Sequence, residues 1–324
     1  MWSRIASCTI KKRFDGISVE STADSRRDYR EMLFRAQDAM RDHISGVILF
    51  DETLRQNAAD GTPLVELITG ADAVPGIKVD MGAKDMALRP GEKNTEGLDG
   101  LGARLDEYHA LGARFAKWRA VITIGDDGRP SWACVKANAH GLARYAAICQ
   151  AHRIVPIVEP EVLMDGPDAS HDIARCDAVT RWVLATVFDE LFEAGVDLEG
   201  MVLKPNMVVP GQHSGTSASV DEVAERTVKC LKATVPSLVP GIAFLSGGQS
   251  NEDASAHLSA MNAGDDLPWA LTFSYGRALQ AAALQAWSGK SENVAAGQRA
   301  FAHRAKMNGL AAQGSYSSER EVAA

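Results

Sequence analysis

Seven short apolar runs punctuate the chain: "GVILF" (46–50), "GIKVD" (76–80), "FAKWRAVI" (115–122), "IVPIVEP" (154–160), "EGMVLKP" (199–205), "GIAFLSGG" (241–248) and "ALTFSYG" (270–276). Their apolar residues are continuous rather than alternating, which predicts parallel strands covered on both faces. The stretches between them carry a helical period. Tyr29, Met32, Leu33, Ala36 and Met40 fall on one helix face, and Val179, Trp182, Val183, Thr186 and Val187 on another. Ser219 with Glu222 and Ser250 with Asp253 have capping-box spacing, and Gly195 offers a helix stop before "VDLEGMVL".

Strand and helix thus alternate with no Gly/Ser-rich linker or shift of composition between them. The pattern predicts an α/β fold, a (β/α)8 TIM barrel forming one domain over residues 1–324. An open doubly wound sheet is the competing arrangement, but no GxGxxG turn follows the early strands. With 46% of 324 residues hydrophobic, the chain can fill a large core. A net charge of −8 argues against a nucleic-acid partner. No apolar run approaches a membrane span, and "MWSRIASCTIKKRF" lacks a signal-peptide core. The five cysteines, Cys8, Cys134, Cys149, Cys176 and Cys230, are scattered and form no CxxC. Reduced thiols in a cytoplasmic protein are expected.

In a barrel of this kind the chemistry gathers at the C-terminal ends of the strands. Those ends read Lys78, Lys117, the pair Glu159 and Glu161, Lys204, Ser246 with Gly247 and Gly248, and Ser274 with Gly276 and Arg277. One such lysine alone reads as a satisfied core cation. Three lysines and two glutamates on one rim read as a site, because buried charge must be paired or used. A lysine crowded by cations and apolar walls loses its proton more easily and can attack a carbonyl. Neighbouring carboxylates can move the protons that imine formation needs. The glycine-bearing segments after the last two strands offer backbone N–H groups to a phosphate, with Ser246 and Arg277 as further donors. Imine chemistry on a phosphorylated carbonyl compound is the prediction. A metal cofactor is not expected, since the eight histidines show no HxxxH or HxH spacing near a strand end. His140, His152 and His171 read as solvated helix or loop residues. Trp118 and Arg119 read as packing and support, "RPGEKNTEG" (89–97) as a turn-rich surface loop, and "GQHSGTSAS" (211–219) as an exposed loop or a lid.

The segments "GIKVD", "FAKWRA", "VPIVEPEVLMDG", "VLKPNMVVPG", "FLSGGQS" and "LTFSYGRALQAA" resemble class I fructose-bisphosphate aldolase, the Schiff-base type, in the family's order from Thr9 onward. The resemblance implies reversible cleavage of fructose 1,6-bisphosphate to dihydroxyacetone phosphate and glyceraldehyde 3-phosphate, without cofactor or metal, by a homotetramer. It implies that Lys204 forms the imine, and Pro205 biases that lysine's backbone toward an extended form. Lys117 is then the lysine that steadies developing negative charge, Glu159 the general acid–base and Glu161 its partner. Ser246, Gly247, Gly276 and Arg277 fall on the pocket for the phosphate nearest the ketone, and Ser274 is a further substrate- or phosphate-binding residue. Lys78 and Arg13 face the other phosphate, with Thr9 keeping a hydroxyl where the family binds phosphate. Transaldolase, another Schiff-base barrel, fits less well, because "SGGQS" and "FSYGRALQ" together match the two-phosphate pattern.

The N-terminus departs from the family. Before Thr9 stands only "MWSRIASC", where relatives of this kind read like "GKGILAADESTGTIKKRF". Arg4 occupies the position of an aspartate that takes part in carbon–carbon cleavage, and Ala6 that of a phosphate-binding serine. The first barrel strand is therefore expected to be absent or replaced, leaving the edges of "GVILF" and "ALTFSYG" unpaired. The alternative that follows is an impaired aldolase that only binds sugar phosphates or partners. At the other end, "GSYSSEREVAA" lacks a terminal tyrosine.

Overall fold

The apolar runs do become parallel strands. The computed structural model describes residues 7–264 and 266–322, with side chains over 10–264 and 266–321. Arg4, Ala6 and the side chain of Thr9 lie outside the described residues. A parallel sheet runs in the order β1 (Gly46–Leu49), β2 (Val74–Lys78), β5 (Phe115–Ile122), β6 (Val155–Val162), β7 (Val202–Leu203), β8 (Gly241–Phe244) and β9 (Ala270–Phe273). Register is set by pairs such as Lys78 with Lys117, Arg119 with Glu159, and Leu203 with Ile242. Helices α4 (Asp51–Leu54) and α5 (Leu64–Thr69), α6 (Leu101–Ala110), α7 (Trp132–Ala151), α8 (Ile173–Glu193), α9 (Val220–Thr234) and α10 (Asn251–Asn262) connect successive strands. Helices α1 (Ser7–Asp15), α2 (Ala23–Phe34) and α3 (Gln37–His43) precede the sheet; α11 (Arg277–Trp287) and α12 (Val294–Ala311) follow it. No described helix is long and apolar enough to cross a membrane.

The helix starts follow their caps. The Ser219 hydroxyl accepts from Glu222 N at 3.1 Å and that of Ser250 from Asp253 N at 2.9 Å, while Gly195, φ +68°, follows the end of α8. The face running from Tyr29 to Met40 is split between two helices, because the backbone leaves the helix at Arg35 and Ala36; Tyr29, Met32, Leu33 and Met40 are still buried together. The stretch 89–97 also differs from a surface loop. Lys93–Thr95 is β4, antiparallel to β3 (Ala83–Asp85). Glu92 is buried there because it accepts from Ser131 N at 2.5 Å and Ser131 Oγ at 2.6 Å, at the start of α7. Cys134, Cys149, Cys176 and Cys230 are buried free thiols.

Among the described residues, β1 pairs only with β2 and β9 only with β8, so the sheet has an open seam between them. The helical layer nonetheless closes over it. Phe14 of α1, Tyr29 of α2 and Trp287 of α11 form an aromatic trio with centroids 5.4–5.8 Å apart. Arg13 Nη1 donates to Gln280 Oε1 at 3.1 Å, and Gln298 Nε2 to Met32 O at 3.1 Å. A Cβ at Gly297 would stand 2.4 Å from Met32 Sδ, so glycine is what lets α12 approach α2. Behind the seam lies a cavity of about 650 Å³, lined by Arg13, Lys78, Asp80, Lys117, Arg119 and Lys204 among others.

Candidate active site

Strand periodicity builds the site. Residues two apart on a strand share a face, so Lys117 and Arg119 on β5, and Glu159 and Glu161 on β6, point the same way. The ladder of β7 continues past its last strand residue, with Lys204 N donating to Val158 O at 2.8 Å. Pro205 has no N–H to donate toward β6, while its carbonyl still accepts from Leu245 N, just past β8, at 3.2 Å. Asn206, 1% exposed, then ties the two strand ends together. Its Oδ1 accepts from Val162 N at 3.0 Å, and its Nδ2 donates to Thr180 Oγ1 at 3.1 Å. Lys204 is thereby held at a fixed point on the rim.

Its ammonium site meets a carboxylate. Lys204 Nζ lies 3.0 Å from Glu159 Oε1, and Lys117 Nζ lies 2.8 Å from Glu159 Oε2. All three residues are buried. Lys117 Nζ is also 3.9 Å from Asp80 Oδ2, and Lys78 Nζ is 2.5 Å from Asp80 Oδ1. Arg119 pairs with Glu161. The rim is thus an alternating belt of Lys78, Asp80, Lys117, Glu159 and Lys204, with Arg119 and Glu161 beside it.

Burial lowers the Lys204 pKa; the Glu159 charge opposes that effect and the Lys117 charge adds to it, leaving Lys204 below the ordinary value. Burial also pushes Lys117 down, but Glu159 and Asp80 together push harder, so it ends above the ordinary value. Burial would raise the Glu159 carboxyl, yet Lys117 and Lys204 hold it down at about 2. Lys78 is lowered, chiefly by burial. One lysine is therefore kept protonated while the other is eased toward the free amine, across one ionised carboxylate.

The anion-binding candidates lie at the ends of β8 and β9. A Cβ at Gly247 would stand 3.4 Å from Glu161 Oε1 and 3.1 Å from Met164 Sδ, which places this loop against the carboxylate pair. Gly248 has φ +71°. Ser246 is buried, and Ser274 lines the cavity with Gly276. Arg277 turns toward the loop, donating to Ser246 O at 3.0 Å and to Gln249 O. Arg13 lies beside this group: a Cβ at Gly276 would be 3.0 Å from its Nη2. Lys78 is engaged by Asp80 across the cavity.

One residue of the belt escaped the sequence reading. Asp80 stands two positions after Lys78, the same strand-end spacing as Lys117 to Arg119, and that spacing was the available signal. Arg119, read as support, supports through an ion pair with Glu161. His171 corrects an expectation: it is 7% exposed with neither ring nitrogen hydrogen-bonded, and burial lowers its pKa.

Comparison with known proteins places this rim in a family. The fructose-bisphosphate aldolase class-I family profile matches residues 5–324. A probable fructose-bisphosphate aldolase class 1 of Xanthomonas campestris pv. campestris is 54% identical over 312 residues, covering 96% of this chain and 92% of that one. Fructose-bisphosphate aldolase 4, cytosolic, of Arabidopsis thaliana is 50% identical over 315 residues, 97% of this chain and 79% of that one. The solved fructose-bisphosphate aldolase of Plasmodium falciparum, in complex with TRAP and a small-molecule inhibitor, superposes with a TM-score of 0.93 at 49% identity, covering 96% of this chain and 89% of that one. The molecule is an α/β-barrel lyase. It belongs to the class I fructose-bisphosphate aldolase family, whose substrates are sugar phosphates.

Proposed function

We propose that Lys204 is the amine that joins the ketone carbon of fructose 1,6-bisphosphate. The observation carrying this is the shared carboxylate: Lys204 and Lys117 lie 3.0 and 2.8 Å from the two oxygens of Glu159, with their proton affinities moved in opposite directions. The free amine adds to the ketone to give a carbinolamine. Glu159 holds the proton given up by the Lys204 ammonium; an amine proton moves to the ketone oxygen, and Glu159 then protonates the resulting hydroxyl, which leaves as water and leaves the iminium. Loss of the Lys204 ammonium removes one of the cations holding Glu159 at low pKa, so the carboxylate takes up a proton more readily and can carry it to the step that needs one. Lys117 stays charged and stabilises oxyanion character in the transition states. The resulting iminium draws the electron pair of the breaking carbon–carbon bond to its nitrogen as Glu159, a carboxylate again, takes the proton of the neighbouring hydroxyl and holds it for the enamine carbon. Glyceraldehyde 3-phosphate departs. Protonation of the enamine carbon and hydrolysis then release dihydroxyacetone phosphate and restore Lys204. Ser246, Gly247, Ser274, Gly276 and Arg277 take the phosphate nearest the ketone, and Arg13, whose Nη2 would be 3.0 Å from a Cβ at Gly276, stands with them rather than with the other phosphate; Lys78 serves the other phosphate, for which the family resemblance also implies Thr9.

A second reading keeps imine formation but not cleavage. It rests on Arg4, which occupies the position of the family's cleavage aspartate. Borohydride trapping with dihydroxyacetone phosphate, read by peptide mass, tests the first step. An adduct on Lys204 supports the proposal, and none from soluble, folded protein refutes it. A coupled cleavage assay on the same preparation separates the two readings.

We further propose one domain, assembled as a homotetramer in the cytoplasm. One continuous core cluster spans the described chain. Phe192, 83% exposed, and Trp132, stacked on Trp182 at 6.0 Å, give α7 and α8 apolar surface for a neighbouring subunit. The Arabidopsis relative is named cytosolic. Sedimentation equilibrium showing a monomer would refute the assembly.

A further inference from the structure

The loop after β8 is held from behind by a line of polar contacts that ends in the C-terminal segment. Besides its bonds to Ser246 O and Gln249 O, Arg277 donates through Nη1 to Asn251 Oδ1 at 3.2 Å. The backbone carbonyl of the same asparagine accepts from Arg304 Nη2 at 3.0 Å, and that nitrogen also donates to Ser255 Oγ at 2.7 Å. Asn251 therefore joins two arginines, one at the anion loop and one on α12. Arg304 is 3% exposed, and its Nε is buried without a partner among the described residues. Its Nη1 pairs with Glu321 Oε1, the one carboxylate recorded on it among the described residues. Glu321 lies in the short helical turn Ser318–Val322, where Tyr316 Oη donates to its Oε1 at 3.0 Å and His303 Nε2 lies 2.8 Å from its Oε2.

A buried guanidinium with one counter-charge is sensitive to losing it, because the remaining charge is left desolvated and unpaired. Arg304 would then move toward water, taking its donors from Asn251 O and Ser255 Oγ at the first turn of α10. Asn251 also fixes one nitrogen of Arg277. We propose that Glu321, acting through Arg304 and Asn251, is a positioning residue for the phosphate pocket of Ser246, Gly247 and Arg277. This rests on the reading above that the pocket takes the phosphate nearest the ketone and that Lys204 forms the imine.

The test is borohydride trapping on the full chain, comparing dihydroxyacetone phosphate with dihydroxyacetone, which has no phosphate to place. Glu321→Gln is expected to raise the half-saturating concentration of dihydroxyacetone phosphate about tenfold, the loss of one charge-assisted hydrogen bond. Its half-saturation by dihydroxyacetone is expected to stay within about twofold of the unaltered chain. His303→Ala removes a different partner of Glu321, one with no hydrogen bond to Asn251 among the described residues, and should leave both values within about twofold. The relay is overturned if Glu321→Gln shifts neither compound, shifts both equally, or is matched by His303→Ala. If the unaltered chain gives no Lys204 adduct with either compound, the imine assignment fails. If it shows no preference for the phosphorylated one, the phosphate pocket fails. The proposal falls with either, and each failure is visible before any variant is made.

Discussion

Lys117 and Lys204 occupy opposite oxygens of the Glu159 carboxylate, 2.8 and 3.0 Å away, and yet one gains proton affinity while the other loses it. The asymmetry comes from Asp80, which adds to the field on Lys117, and from Lys117 itself, whose charge bears on Lys204. Replacing Lys117 with methionine removes that charge and leaves Glu159 to Lys204 alone. Both changes raise the Lys204 pKa. The pH profile of imine formation, followed by single-turnover trapping, should therefore move to higher pH in Lys117→Met; a shift downward or none contradicts the assignment.

Glu159 links the site to acid stability. Its folded-state pKa of about 2 lies below the ordinary 4.5, so the unfolded chain binds the proton more readily. The stabilisation is fully present above the ordinary value and is lost as pH falls toward about 2. Denaturant midpoints measured down through that window should fall less steeply for Glu159→Gln than for the unaltered chain.

Asn206 offers a packing test near the nucleophile. Asn206→Ala leaves Val162 N without its side-chain acceptor in a buried position. A cost of about 1–3 kcal/mol is expected from urea titration. Trapping at Lys204 should slow as well, because the same side chain fixes the end of β7.

Gly248→Ala tests the anion loop. The residue has φ +71°, and a Cβ there would stand 2.4 Å from Met164 Cγ. Backbone strain and overpacking together should cost about 1–3 kcal/mol, read as a lowered Tm.

The strands and the lysine-bearing rim were legible because both depend on short-range pattern. A parallel strand buried on two faces must be apolar throughout, and a charge at its end interrupts the run where the chemistry sits. What was not legible depends on partners far along the chain. Glu92 is buried because Ser131, 39 residues later, presents two donors to it. Asp80 joins the rim because β2 and β5 align Lys78 with Lys117. His171 looked solvated in a polar stretch, but the 210–218 loop returns over it, with Gly211 N donating to its carbonyl at 2.9 Å. Helices α2 and α3 share one hydrophobic face, so periodicity alone joined them.

The helical closure over the seam also dictates when this fold can finish. Arg13 with Gln280 and Met32 with Gln298 connect residues 267 and 266 positions apart. Almost the entire chain must leave the ribosome before either contact can form. Until then α1 to α3 can lean only on early elements, as Arg26 and Arg30 do on Glu52, and Phe14, fully buried in the finished protein, lacks its contact with Trp287. Closure of the seam is thus a late event governed by distant contacts, and a nascent chain carries that side of α1 and α2 without its cover until α11 and α12 emerge.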